Sequence, residues 1–399
     1  MTRLASITIN TLLQTIRQPI FGIIVLATLG ALAMAPSMTG WTLDDDNKLL
    51  RDLGLSTLLI QGLFLAAFGA SGVVSTEIED RTVLTVVSKP VPRIVFIAGK
   101  FLGVLGGLLL AHYIALLGLM LTLRHGVLQT VSEHSDPTVL LAGPGVMALV
   151  MITAAVLNYS QDWKFLSTTV IFAAIGLSIG YAVLLFIDRN GALRTYEVTQ
   201  DIPGLPASLE HPNEAFAGII TYRDETEPAS TEKKGKLIRR EWQGPISEAD
   251  RNKLLGLSED QTYRMNVDFL IEKTRKIISL QIIKAALLLT GVLAIMTAFA
   301  VAVSTRAGTA WTLFATVLLL CAGLVGDHFL RPMGQSGSWI ARVAYAALPN
   351  FQFFWLIDAV AEDQVIPWGY LGECLSYAAV YCSGLILLGA GLFETRELG

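Results

Sequence analysis

The charged side chains of this chain are few, and their grouping shows where chemistry is available. Glu77, Glu79, Asp80, Arg81 and Thr82 follow one apolar stretch, and Lys89, Pro90 and Arg93 precede the next. Between them, Ile78, Val83, Leu84 and Val87 mark the apolar face of a short amphipathic helix over 76–90. Its acidic residues stand at the start and Lys89 at the end, which complements the helix dipole. Pro90 and Pro92 then end the helix. On composition alone the segment reads equally well as a loop whose charges are only solvated. A second group is His112, which lies with Tyr113 in the middle of a long uncharged run. Such a histidine either packs neutral against another helix or contributes to a translocation path. Asp327 and His328 are adjacent, but a metal site needs more ligands than two neighbours supply. Cys321, Cys374 and Cys382 lie in or beside apolar stretches, with no disulfide or metal-ligand spacing.

The elements that carry these residues follow from the distribution of charge. Of 399 residues, 53% are hydrophobic and 16% charged, against about 25% charged in an ordinary soluble domain. This argues against a disordered chain and against an ordinary soluble enzyme. Residues 188–276 hold 30 of the 62 charged side chains. Outside them, eight uncharged runs reach the roughly 20 residues that a bilayer-spanning helix needs. They lie between Arg17 and Asp44, Asp52 and Glu77, Lys100 and Arg124, Asp136 and Asp162, Lys164 and Asp188, Lys284 and Arg306, Arg306 and Asp327, and Glu373 and Glu394. The fourth is interrupted by Gly143, Pro144 and Gly145. A shorter run over 343–357 contains Pro349 and Asn350, then Phe351, Phe353, Phe354 and Trp355, and suits an interfacial or re-entrant segment. Gly103, Gly106 and Gly107 in the third run permit close helix packing. Trp163 and Trp368 fit an interfacial aromatic belt.

Residues 2–18 read as a surface helix, with Leu4, Ile7, Leu12, Leu13 and Ile16 opposed to Asn10, Thr11, Gln14 and Arg17. The following run lacks the features of a cleavable signal peptide. Lys and Arg near short loops favour an N-terminus inside, nine against five. Eight crossings then put both termini in the cytoplasm and 188–276 outside. In that insert, 217–222 reads as a strand, Ser247 starts a helix, Val267 begins a helix running into the sixth span, and 224–236 reads as a flexible loop. No catalytic constellation is present there, and His211 reads as a surface residue. The net charge of −4 and the absence of a basic stripe give no support for a nucleic-acid partner.

The expected architecture is an all-α polytopic membrane protein of about eight transmembrane helices, with a small α+β extracytoplasmic insert. Residues 1–187 form an N-terminal membrane region, 188–276 the soluble domain, and 277–399 a C-terminal membrane region of three spans.

The pattern Glu77-x-Glu79-x-x-Thr82, then Ser88-Lys89-Pro90-Val91-x-Arg93-x-x-Phe96-x-x-Gly99-Lys100-x-x-Gly103, resembles the segment after the second span of ABC-2-type permeases. Ser304-Thr305-Arg306 is similar to that family's turn between its fourth and fifth helices, and Pro349-Asn350-Phe351 to its outer segment. Leu392-Phe393-Glu394-x-Arg396-Glu397-Leu398 is similar to its C-terminal end. The resemblance covers 1–123 and 277–399, whereas 137–276 departs from the family's six spans. It implies the permease subunit of an ATP-binding cassette exporter in the bacterial inner membrane, working as a homo- or heterodimer. It also implies that Glu77, Glu79, Asp80, Arg81 and Thr82 contact a cytoplasmic ATPase subunit, and that Lys89, Pro90 and Arg93 set the angle of that coupling helix to the third span. ATP and Mg would be bound by that partner, because this chain has no G-x-x-x-x-G-K-[S/T] phosphate loop. It would hold no cofactor and would not itself be an enzyme. The alternative is a non-transport assembly or sensor protein acting through its extracytoplasmic domain.

Overall fold

The computed structural model describes residues 2–39, 46–79, 92–127, 136–187, 191, 200–201, 216–224, 236–244, 264–265, 267–356, 360 and 365–394. The chain is an all-α polytopic membrane protein in its main body. Among the described residues, eight helices are long and apolar enough to cross a membrane, and each coincides with one of the uncharged runs. Contacts divide the chain into two compact units, Met1–Ala192 with Gln281–Gly399, and Leu193–Leu280.

In the first unit, α1 (Thr2–Ile16) and α2 (Pro19–Thr39) are followed by α3 (Asp46–Glu79) and α4 (Arg93–His125). Helix α5 (Pro137–Gln161) and α6 (Phe165–Leu184) form a hairpin. Then come α7 (Val267–Ser304), which belongs to this unit from Gln281 onward, α8 (Thr309–Gln335), the short α9 (Trp339–Ala347), a 3₁₀ turn (Phe351–Phe354) and α10 (Trp368–Glu394). The widest turn in α5 is a π-turn at Leu141–Gly145, around Pro144. Proline has no N–H to give the ladder, so the helix widens there rather than ending. Asp162 takes a left-handed backbone conformation and stops α5. Asp136 caps its start, accepting from the N–H groups of Thr138 and Val139. Arg124 at the end of α4 donates to the carbonyls of Leu184 and Ile187 and lies 3.7 Å from Asp136, which ties both ends of the hairpin to α4.

The N-terminal helix differs from expectation. Helix α1 packs along α4, and its enclosed face is made of Thr11, Thr15 and Ile16 rather than of its leucines. Thr11, assigned by sequence to the polar face, is fully buried. The cause is Gly103: a Cβ there would stand 2.4 Å from that of Thr11 and 2.7 Å from the Thr8 carbonyl oxygen. Two backbones this close leave room only for small side chains. Thr15 meets its own hydroxyl's need by donating to the Thr11 carbonyl.

The run at 343–357 contains the end of α9 and the 3₁₀ turn. Phe351 and Phe354 are fully buried, against Gly323 of α8 and Gly291 of α7. Both glycines lie near the middle of their spans. Non-helical backbone at that depth needs partners from the protein. Tyr377 accepts from the Asn350 N–H, Tyr370 donates to the Phe353 carbonyl, and Tyr381 donates to that of Leu348. The spacing of these tyrosines puts them on one face of α10.

In the second unit, β1 (Gln200–Asp201) pairs antiparallel with β4 (Arg264–Met265). Strand β2 (Phe216–Asp224) pairs antiparallel with β3 (Lys236–Gly244), from Phe216 opposite Gly244 to Asp224 opposite Lys236. The expected strand at 217–222 is thus part of a longer one. The helix at Val267 continues without a break as α7. The expected helix from Ser247, the loop between Asp224 and Lys236, and His211 lie outside the described residues.

Candidate functional site

The residues that bracket 80–91 meet at one end of the membrane body. Helix α3 does not end at Ser75. Nothing from Thr76 to Glu79 interrupts a helix, and the span continues through them. Residues 76–79 therefore belong to α3, not to the start of a separate amphipathic helix as the sequence led one to expect. Asp80, Arg81, Thr82, Lys89 and Pro90 lie outside the described residues, as does the Glu79 side chain. Pro92 stands immediately before α4, which begins at Arg93. Proline there fixes the backbone angle of entry and forgoes an N–H that a helix start cannot pair anyway.

Glu77 and Lys100 join α3 to α4 beside the two ends of 80–91. Lys100 Nζ lies 2.6 Å from Glu77 Oε1. The lysine is almost fully enclosed, with its side chain 4% exposed, whereas that of Glu77 is 21% exposed. The ammonium also lies 5.4 Å from the centre of the Phe96 ring, one turn earlier on α4. Sequence reading placed Lys100 in the motif but gave it no role.

The same end gathers α7 and α10. Phe96 stacks on Phe393 with ring centres 5.5 Å apart. Ala70, Val74, Ile97, Ala300 and Val301 complete a buried cluster around that pair. Arg93 forms an ion pair with Glu394 at 3.0 Å. Ser75 donates to the carbonyls of Ser304 and Ala307, in the turn between α7 and α8. Arg306, in that turn, donates to the Leu392 carbonyl. The stretches around Ser304 and Phe393 are far in sequence from Glu77 and Arg93 and adjacent to them here. Arg396, Glu397 and Leu398 lie outside the described residues. Chemically the junction can transmit force. It binds the ends of four helices through one enclosed ion pair, one stacked ring pair and several backbone-directed hydrogen bonds.

His112 sits elsewhere, in the interior of the body. It is buried on α4, and its Nε2 lies 2.9 Å from the Ala286 carbonyl of α7. Tyr113 beside it is half exposed and shares a 2.7 Å hydrogen bond with Ser178 of α6. Asp327 accepts from Tyr345 at 2.7 Å and lies 3.6 Å from Arg331. The hydrogen bond to Asp327 favours the protonated phenol and raises the Tyr345 pKa above its ordinary value. His328 rests edge-on against Phe329. Among the described residues no three His, Cys, Asp or Glu side chains group as metal ligands would.

Arg51 and Lys284 hold backbone at the other ends of the helices. Arg51 donates to the Val360 carbonyl. Lys284 donates to the Ile366 carbonyl, and Gln281, on the same face of α7, accepts from the Ile366 N–H. Lys284 also stands 4.6 Å from the Trp368 ring centre. No family model matches the chain, and neither curated proteins nor solved structures show a significant likeness to it.

Proposed function

We propose that this chain is the permease subunit of an ATP-binding cassette exporter, working as a dimer, with energy from a separate ATPase subunit. The observation that supports this reading most is the Glu77–Lys100 pair at the meeting of four span ends. The segment 80–91 leaves and returns through that junction. A partner pressing on it would load α3 and α4 at once, and through Ser75, Phe393 and Glu394 also α7 and α10. An exporter needs such a lever, because it must switch one helical body between two packings. In this reading the junction faces the cytoplasm of a bacterium, Glu79, Asp80, Arg81 and Thr82 meet the ATPase, and ATP with Mg is held by that partner.

The test is association with a soluble ATPase. Affinity purification of the chain from its native membrane should bring down an ATP-hydrolysing subunit, and Glu79→Ala with Thr82→Ala should release it. Unchanged association in the double variant sinks the coupling assignment. A chain that tolerates this variant yet fails when 190–275 is deleted is instead a sensor or assembly protein acting through its insert.

A further inference from the structure

The 3₁₀ turn at Phe351–Phe354 has two unlike sides. Phe351 and Phe354 are buried against Gly323 and Gly291, which lie near the middle of spans α8 and α7. Gln352 and Phe353, between them, are exposed on the surface of this unit. Non-helical backbone at membrane depth persists only inside protein or beside water, because lipid tails offer no hydrogen bonds. The rings of Phe351 and Phe354 meet that condition through protein. The side that carries Gln352 does not.

Gln352 Nε2 donates to the Leu324 carbonyl at 2.8 Å, which holds the amide against the middle of α8. Its second N–H and its Oε1 have no partner among the described residues. An amide carries two donors and two acceptor lone pairs, so most of this one's capacity is open to whatever lies outside. Lipid tails would leave it unmet, which is costly. Nor can the side chain reach a headgroup. From mid-span that is about 15 Å away, half of a hydrocarbon core, which is farther than a glutamine extends. Other exposed residues at this depth are of a different kind. Leu318 on α8 and Val380 on α10 are 58% and 73% exposed, and both are apolar, as lipid requires. Water satisfies the amide without any matching group on a partner.

We propose that the exposed side of this turn, centred on Gln352, faces a water-filled path at the middle of the membrane rather than lipid. As a route for substrate this rests on the export reading, but contact with water needs only the chain in a bilayer. The experiment uses the full-length protein in nanodiscs, without any ATPase, with Cys321, Cys374 and Cys382 replaced by alanine. Single cysteines at Gln352, Leu318 and Val380 are then treated with a charged, membrane-impermeant methanethiosulfonate. Gln352→Cys should react at least about tenfold faster than Leu318→Cys and Val380→Cys, because only a hydrated thiol forms the reactive thiolate. A rate at Gln352→Cys no faster than at the other two overturns the proposal. If oxidation then links two chains through that cysteine, a second copy covers the turn; if it does not, lipid does. Gln352→Glu and Gln352→Leu read the same surface without a thiol. The unfolding midpoint of each should stay near that of the wild type. A midpoint that falls with Gln352→Glu and rises with Gln352→Leu places the side chain in lipid and also overturns the proposal. None of these outcomes bears on association with an ATPase.

Discussion

Lys100 Nζ and Glu77 Oε1 lie 2.6 Å apart although 23 residues separate them in the chain. The lysine is almost wholly enclosed, and the glutamate keeps part of its surface in contact with solvent. The two partners are therefore unequal. Glu77→Gln leaves an ammonium in the interior without its counter-charge, while Lys100→Met leaves a carboxylate that water reaches. Removing one member of a buried pair costs about 3–5 kcal/mol, and the exposure of Glu77 moves these variants toward the lower end. Glu77→Gln should lower the unfolding midpoint in detergent clearly more than Lys100→Met, and the double variant should recover part of the loss. Equal effects of the two single variants would show that the pair is solvated.

The approach of α1 to α4 gives a second expectation. Gly103→Val places branched carbon atoms where Thr11 and the Thr8 carbonyl already stand. Overpacking of this kind costs about 1–3 kcal/mol, and here the cheapest relief is for α1 to move off. Thiol labelling at Thr11→Cys reads this directly. The thiol should resist a water-soluble maleimide in the wild-type background and react readily with Gly103→Val. A thiol equally protected in both would mean that α1 is held by something other than this contact.

These two relationships show what sequence could and could not deliver. The eight spans were legible because absence of charge over 20 residues has one structural meaning in lipid. The ends of the spans were less so. Counting only Asp, Glu, Lys and Arg set the second run to end at Glu77, whereas the helix continues to Glu79, since one glutamate at an end does not stop a helix. The same counting passed over Gln61, an uncharged polar residue inside a span, and so missed a partner of the peptide beside His112. Lys100 carried a usable signal. A lysine followed by Phe101 and Leu102 needs a counter-charge, and Glu77 stood at the end of the preceding run. The Thr11 face of α1 carried none, because threonine counts as polar on its own and becomes the buried choice only opposite Gly103.

The junction also predicts how the termini of the spans depend on one another. Ser75 donates to two carbonyls of the α7–α8 turn, at 3.1 Å from Ser304 and 2.8 Å from Ala307. Ser75→Ala removes both bonds and leaves two acceptors near the end of the body. A loss of about 1–3 kcal/mol is expected, seen as a lower unfolding midpoint. Limited proteolysis at Arg306, whose exposed guanidinium end marks the same turn, should become faster. If both measurements stay at wild-type values, the turn is held by Arg306 and Leu392 alone.

The 3₁₀ turn at Phe351–Phe354 supplies the last expectation. Tyr377 accepts from the Asn350 N–H at 3.0 Å, and its ring contacts those of Phe353 and Phe354. Tyr377→Phe keeps the rings together and removes only the acceptor. Tyr377→Ala removes both. If the hydroxyl matters because irregular backbone at membrane depth must be paired, Tyr377→Phe alone should destabilise by about 1 kcal/mol or more. The unfolding midpoint in detergent checks this. If the rings carry the anchoring, Tyr377→Phe behaves as wild type and only Tyr377→Ala releases the segment. Tyr370 and Tyr381 share that face of α10 and bind the carbonyls of Phe353 and Leu348. Replacing all three by phenylalanine should therefore cost more than the sum of the single changes, because each remaining hydroxyl limits how far the turn can move when another is lost.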